Sequence, residues 1–184
     1  MGTRHLICAV IDGEMKLAQY GQWDGYPSVQ GQAVVDFLKK LNGDEMETLS
    51  KHLRLCSFVS DEEANESKEI QFLRDTSATV LDMILDQPLK LYNSISFAAD
   101  SLFCEWAYVI NFDTNKFEVY TGFNKNPVNN QRFSYLNYNH DARPDRKKEY
   151  YPVKLVALYS LDSLPDNLSA EIDTLSTVRE VFVD

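Results

Sequence analysis

The residues best suited to chemistry lie close together near the start of the chain, within residues 20–26. Aromatic rings supply stacking area with polar handles, and a carboxylate accepts hydrogen bonds or pairs with a cation. This composition predicts a binding site; a tight turn is the alternative, because Asp-Gly and Tyr-Pro are good turn dipeptides. The predicted binding residues of the segment are Tyr20, Gln22, Trp23, Asp24 and Tyr26.

Charged residues elsewhere in the chain are candidate partners of this segment. Arg4 lies opposite Asp24 if the first two strands pair, where it meets that carboxylate or a ligand anion; a structural salt bridge is the alternative. Asp100 and Glu105 are candidate second members of an acid pair with Asp24, which hydrolysis of a glycoside or an amide would need. Cys104 precedes Glu105, and we interpret it as buried packing, because consecutive strand residues point to opposite faces. The predicted binding residues therefore also include Arg4, Asp100 and Glu105.

A β-hairpin is expected to position the 20–26 segment. Asp12-Gly13 separates two apolar runs, and this pair favours a type I′ turn, in which both central residues have positive φ. We therefore expect residues 5–11 to pair with residues 14–22. This pairing brings residues 20–26 to one edge of the fold.

Apolar spacing predicts helices after this hairpin and further strands in the second half of the chain. The order favours an α+β fold in which an antiparallel sheet built from hairpins packs against three to four helices, and it does not favour parallel βαβ units. The first predicted helix covers Val29 to Leu41, with Ser28 as N-cap and Asn42-Gly43 as the stop. The other predicted helices cover about 44–53, a segment starting at Ser60, and 77–87. The predicted strands cover 107–112, 117–121 and 154–161.

Composition narrows the class of protein. A chain of 184 residues predicts a single domain over 1–184. Eighteen basic against 28 acidic residues give a net charge of −10, which disfavours direct binding of nucleic acid. Three cysteines without CxxC spacing indicate neither a disulfide framework nor a zinc site. No leader-like or membrane-spanning run is present in the sequence, so we expect a cytoplasmic protein without membrane contact.

No cofactor and no metal are expected. The chain has none of the short motifs that bind phosphates, dinucleotides or zinc or that form a nucleophile elbow. The three histidines are isolated in sequence, and no two have the i, i+4 spacing of a helical metal pair. We expect His5 to point from a strand edge.

Two charged segments have two interpretations each. The acidic stretch, residues 61–69, is either a solvated helix face or a mimic of nucleic-acid phosphates that fits a basic groove. The polar, Tyr-rich loop 122–152 contains six basic residues and is either a flexible loop or a contact with an acidic partner or a second copy of the chain. The acidic stretch contains Asp61, Glu62, Glu63, Glu66 and Glu69.

Three stretches stand out, and the second and third combine Trp, Tyr and acidic residues in a way that is improbable by chance. They read MGTRHLI at the start, AQYGQWDGYP after the hairpin turn, and SLFCEWAYVINFDTNKFEVYTGFN over residues 101–124. These stretches, about a quarter of the chain, resemble a family of uncharacterised proteins from phages, gut bacteria and fungi. The phage members of that family imply a role against host defences, such as that of an anti-CRISPR inhibitor.

The start of the chain, a strand, a tight turn, a second strand and a polar element, also resembles that of N-terminal-nucleophile hydrolases. The resemblance implies a sandwich fold of that kind. Such enzymes use a Cys, Ser or Thr whose own α-amine is the base. Removal of Met1 here exposes Gly2, which has no side chain to attack with, and Thr3 serves only after a second cleavage. The resemblance therefore implies a degenerate or cryptic site, built from Thr3, Arg4, Asp24, Asp100 and Glu105.

These observations predict an acidic interaction protein rather than an enzyme. Trp23, Asp24 and Tyr26 are expected to be its anchors, and the acidic stretch supplies a negative field. The expected partner is a host protein that handles nucleic acid, such as a CRISPR effector or another nuclease, or a second copy of this chain. The alternatives are a small-molecule hydrolase and a self-associating structural protein.

Overall fold

A computed structural model describes residues 2–73, 75–136 and 150–181. The fold is α+β, as predicted, because a five-stranded sheet packs against helices. In chain order the described elements are β1 His5–Ile11, β2 Glu14–Gly21, α1 Gln32–Lys40, α2 Gly43–Leu55, β3 Ser57–Phe58, α3 Asp61–Glu66, α4 Lys68–Leu73, α5 Thr79–Asp86, β4 Lys90–Leu91, β5 Trp106–Asn111, β6 Lys116–Thr121, β7 Lys154–Ser160 and α6 Leu168–Val181.

The predicted turn between β1 and β2 is confirmed. Asp12 has a φ of 55° and Gly13 a φ of 75°, so both central residues have the positive φ of a type I′ turn. The carboxylate of Asp113 accepts hydrogen bonds from the backbone N–H groups of Asp12 at 2.7 Å and Gly13 at 2.8 Å. The loop of the second hairpin, between β5 and β6, therefore braces the turn of the first.

The sheet has the strand order β2-β1-β5-β6-β7, and β1 pairs with β5 in parallel. The expectation of an antiparallel sheet without parallel pairing is wrong for this pair. The helical segment between the hairpins returns the chain to the end of the sheet where β1 begins, so β5 runs in the same direction as β1. One row of paired residues crosses this end of the sheet; we call it the terminal row, and it contains Gly21, His5, Trp106, Thr121 and Lys154.

The two faces of the sheet are covered differently. Helices α1, α2, α5 and α6 cover the face that carries Ile7 and Ile110. The other face, with Cys8 and Val109, is covered by a 3₁₀ turn at Ile95–Ala99 and by irregular chain. The predicted loop 122–152 contributes to this cover, since Phe133 is fully buried there, as is Val153 directly after the loop. Residues 137–149 of that loop lie outside the described residues.

Two predicted helix boundaries are wrong. The first helix starts at Gln32 rather than Val29, because a π-helical turn over Pro27–Gly31 precedes it, in which Gly31 N–H donates to the Tyr26 carbonyl at 3.2 Å. Asn42 does not stop α1 but caps α2: its side chain accepts a hydrogen bond from Glu45 N–H, and Glu45 accepts one from Asn42 N–H, both at 2.9 Å. The capping box predicted at Ser60 is confirmed.

Candidate functional site

The terminal row organises the candidate site, because the chain enters or leaves every strand of the sheet there. Arg4 directly precedes β1, Gln22 and Trp23 directly follow β2, and Glu105 directly precedes β5. The structure thus places predicted binding residues from separate parts of the chain at one end of the sheet.

Arg4 is joined to Glu105 rather than to Asp24. Glu105 N–H donates to the Arg4 carbonyl at 3.1 Å, and Arg4 N–H donates to the Glu105 carboxylate at 3.4 Å. The guanidinium lies over the Phe103 ring, 4.6 Å from its centroid, in a cation–π contact. Its Nε is buried and has no hydrogen-bond partner among the described residues. Arg4 therefore holds the start of β1 to the start of β5.

Tyr20 and Asp100 line one groove of about 440 Å³ beside β2. The ring of Tyr20 meets the edge of Phe97 at 5.0 Å between centroids, and its hydroxyl donates to the side chain of Gln22. Burial raises the pKa of Tyr20. The remaining lining residues are Asp75, Tyr92, Ser94, Ser96 and Phe97, so the groove presents hydroxyl and carboxyl groups among aromatic rings.

The three candidate acids do not all meet in this groove. Asp100 lines it and is 6% exposed, whereas Asp24 and Glu105 are not among its lining residues. Asp24 is exposed on a left-handed residue with a φ of 56°. The second carboxylate that lines the groove with Asp100 is that of Asp75, which was not predicted from the sequence. The Asp75 carboxylate accepts a hydrogen bond from Gln22 N–H at 2.9 Å. No pattern near Asp75 in the sequence indicated this contact.

Large aromatic side chains are exposed along the same end of the sheet. Trp23 is 59% exposed, Tyr26 51%, Phe123 57% and Phe103 36%. Trp23 and Tyr26 follow β2, Phe103 precedes β5 and Phe123 follows β6. We call these four residues the aromatic edge. Phe103 and Phe123 were not predicted as site residues, and Phe123 lies within the polar loop predicted over 122–152.

His5 lies beneath this edge and does not point from a strand edge, as the sequence suggested. It is fully buried, and neither ring nitrogen has a hydrogen-bond partner among the described residues. Gly21 and Gly25 lie against it: a Cβ at Gly25 would come within 2.7 Å of the His5 Cβ. Burial lowers the pKa of His5 to about 4, although the Thr3 carbonyl and the carboxylates of Asp75 and Asp24 act in the opposite direction.

The acidic stretch is solvated. All five of its predicted carboxylate residues are exposed, at α3 and the start of α4. Three of them, Glu63, Glu66 and Glu69, line a groove of about 500 Å³ together with Leu89 and Lys90. This groove is separate in its lining residues from the one that contains Tyr20.

A buried ion pair fixes the chain that covers the second face of the sheet. Glu118 on β6 accepts hydrogen bonds from Arg132 Nε at 2.8 Å, from Tyr120 at 2.6 Å and from Asn111 at 3.0 Å. Burial raises the pKa of Glu118, but these donors outweigh burial and hold the pKa below its ordinary value. Because its acceptor capacity is satisfied, this group is structural.

The fold and the site together define a small α+β protein with a mixed sheet and exposed aromatic side chains in the segments that flank one end of it. Comparisons with protein-family models, with curated proteins and with solved structures find no match for this chain. Within residues 2–73, 75–136 and 150–181 no group of three or more His, Cys, Asp and Glu side chains is arranged to hold a metal ion. In the same residues no helix has the length and apolar character needed to cross a bilayer.

Proposed function

We propose that this protein is an interaction module that binds a partner protein through its aromatic edge. The observation that carries the proposal is the exposure of Trp23, Tyr26, Phe103 and Phe123, all of them in segments that enter or leave the sheet at the terminal row. Aromatic side chains give most of the binding energy in many interfaces, and they lose little conformational entropy on binding. Four of them joined by a rigid sheet form a pre-organised contact surface.

The charge of the chain supports a basic partner. The net charge is −10, and the five carboxylates of the acidic stretch are exposed. Proteins that hold nucleic acid have strongly positive channels, and an acidic protein can occupy such a channel in competition with DNA. The proposed role is therefore inhibition of a nucleic-acid-handling protein of the host, of the anti-CRISPR kind.

Affinity capture tests this role with matched variants. The tagged protein, Trp23→Ala/Phe123→Ala and a control, Tyr135→Ala, are incubated with host lysate and analysed by mass spectrometry. Tyr135 is 67% exposed, so its loss matches the others in surface chemistry. We expect one stoichiometric protein partner that the native chain and the control retain and that the double variant loses. Equal retention by all three proteins would contradict the aromatic edge as the contact surface.

The acidic stretch is tested separately on the captured complex. Glu62→Lys/Glu63→Lys/Glu66→Lys should weaken binding and flatten the dependence of affinity on salt, because fewer opposite charges meet in the complex. Duplex DNA should compete with the native protein for the partner. An unchanged salt slope would contradict phosphate mimicry while leaving the aromatic contact in place. A captured partner that is a second copy of the chain would favour the self-associating structural protein instead.

A further inference from the structure

A buried histidine and a half-buried serine meet beside Gly21. A Cβ on Gly21 would lie within 2.5 Å of both His5 Nε2 and Ser77 Oγ, so these two atoms are less than about 5 Å apart. They are not hydrogen-bonded to each other, because His5 Nε2 has no partner. The absence of a side chain at Gly21 is what leaves room for the imidazole and the hydroxyl to approach.

The other ring nitrogen of His5 faces a backbone acceptor. His5 Nδ1 and the Thr3 carbonyl oxygen each lie 2.8 Å from the position of a Cβ on Gly25. That carbonyl is fixed by the Gly25 N–H, which donates to it at 2.9 Å, and the Gly25 carbonyl accepts from the Tyr108 hydroxyl at 2.7 Å. A carbonyl beside Nδ1 favours a proton on Nδ1, which leaves the lone pair on Nε2, the ring nitrogen close to Ser77.

We propose that Ser77 and His5 form a nucleophile and general-base pair that hydrolyses small carboxylic esters. Three observations support it: the unpaired basic nitrogen of a fully buried histidine, the serine hydroxyl next to it, and the backbone of Ser77, whose φ is 51°. A buried polar group without a partner needs an explanation, and a catalytic role is one. A positive φ at a non-glycine residue is a form of strain that occurs often at functional sites. The activity is independent of the binding proposed for the aromatic edge.

Of the two residues only Ser77 is reached by solvent, so an ester would approach the serine from its exposed side. Neither residue lines the groove that contains Tyr20 and Asp100, which lies against the opposite face of the sheet. Asp75, two residues before Ser77, lines the groove, and its hydrogen bond to Gln22 N–H fixes the Ser77 turn to the end of β2.

The reaction proceeds in two balanced steps. Ser77 Oγ attacks the ester carbonyl carbon while His5 Nε2 takes the hydroxyl proton; the alkoxide then leaves with that proton as the alcohol, and an acyl-serine remains. Water then attacks the acyl group with His5 as base, and the carboxylic acid is released with Ser77 restored. The carboxylates of Asp75 and Asp24 favour the transient imidazolium, but burial, the larger effect on the pKa of His5, disfavours it.

Covalent labelling with a fluorophosphonate tests the pair. The serine oxygen displaces fluoride from phosphorus, and the histidine takes the proton, so the label reports both groups. We expect one adduct per chain, mapped to Ser77 by peptide mass spectrometry, and a burst of about one equivalent of p-nitrophenol from p-nitrophenyl acetate. His5→Gln should slow the labelling at least about 100-fold, the range of general-base catalysis.

Ser77→Gly separates catalysis from folding. Glycine adopts a φ of 51° without strain, so this variant should melt at the same temperature as the native protein or higher, while adduct and burst disappear. Asn130→Gly, at a φ of 57°, is the matched backbone control, and Ser163→Ala removes an exposed hydroxyl; both should label like the native chain. Absence of an adduct on Ser77, a burst that persists in Ser77→Gly, or an unchanged rate in His5→Gln would overturn the proposal.

Discussion

Acidification should destabilise this protein through His5, well above the pH at which carboxylates titrate. The imidazole is fully buried, and burial lowers its pKa from 6.5 to about 4. The unfolded chain therefore takes up a proton at His5 near pH 6.5, whereas the folded chain stays neutral there until about pH 4. The contribution of neutral His5 to the free energy of unfolding is therefore complete above pH 6.5, its pKa in the unfolded chain. It is lost as the pH falls toward about 4, its pKa in the folded chain.

The size of the effect follows from the shift. One pKa unit corresponds to about 1.4 kcal/mol, so the change from 6.5 to about 4 corresponds to about 3 kcal/mol once the pH reaches 4. Between pH 7.5 and pH 5 the same pKa shift lowers the free energy of unfolding by about 2 kcal/mol. That loss is a large fraction of the stability of a small domain.

Urea unfolding followed by circular dichroism at several pH values measures this loss. His5→Gln should unfold with little pH dependence between pH 7.5 and 5, whatever its absolute stability, because its side chain does not titrate. His52→Gln is the matched control: His52 lies on α2 with Nδ1 2.8 Å from the Ile84 carbonyl, and this variant should keep the dependence of the native chain. Parallel stability curves for the native chain and His5→Gln would refute the argument, since His5 would then have the same pKa folded and unfolded.

Four further substitutions, one of them a control, test other parts of the structure by the same unfolding assay. Arg132→Met leaves the buried Glu118 carboxylate without its cation and should lower the free energy of unfolding by about 2–3 kcal/mol. Lys39→Met is the control: it removes only an exposed ion pair and should change the free energy of unfolding by less than about 1 kcal/mol. Equal effects of the two substitutions would contradict the structural role of the buried pair. Asp113→Ala removes both acceptors of the first hairpin turn and should cost about 1–2 kcal/mol. Asn42→Ala should cost about 1 kcal/mol by removing the N-cap of α2, and no loss would mean that the helix does not depend on its capping box.

Local signals in the sequence predicted the local structure well. The Asp12-Gly13 pair predicts its turn because few dipeptides accept positive φ at both positions, and the Ser60 box is confirmed because capping depends on residues three apart. The parallel pairing of β1 with β5 was not predictable in this way, since it joins residues about 100 positions apart and no local pattern specifies it. The predicted antiparallel arrangement is therefore wrong where the first hairpin pairs with the second, between β1 and β5.

The candidate site was predictable only in part. The aromatic and acidic residues of the 20–26 segment were found because their types are unusual so close together. His5 and Ser77 were missed because they are 72 positions apart and each is ordinary in its own context. The useful signal was the pair Gly21 and Gly25: small residues on both sides of a turn leave space for another side chain, but the sequence does not say which one.

The central position of β1 has a consequence for synthesis of the chain. Its partner β5 follows about 100 residues later, which at ribosomal rates of 5–20 residues per second is a delay of about 5–20 s. Throughout that interval the nascent hairpin has an unpaired, strongly apolar strand edge, the kind of surface that leads to aggregation. The α1–α5 segment emerges during the same interval and can shield one face of the hairpin, but not that edge. Production of this protein should therefore depend on chaperone capacity during translation more than its size suggests.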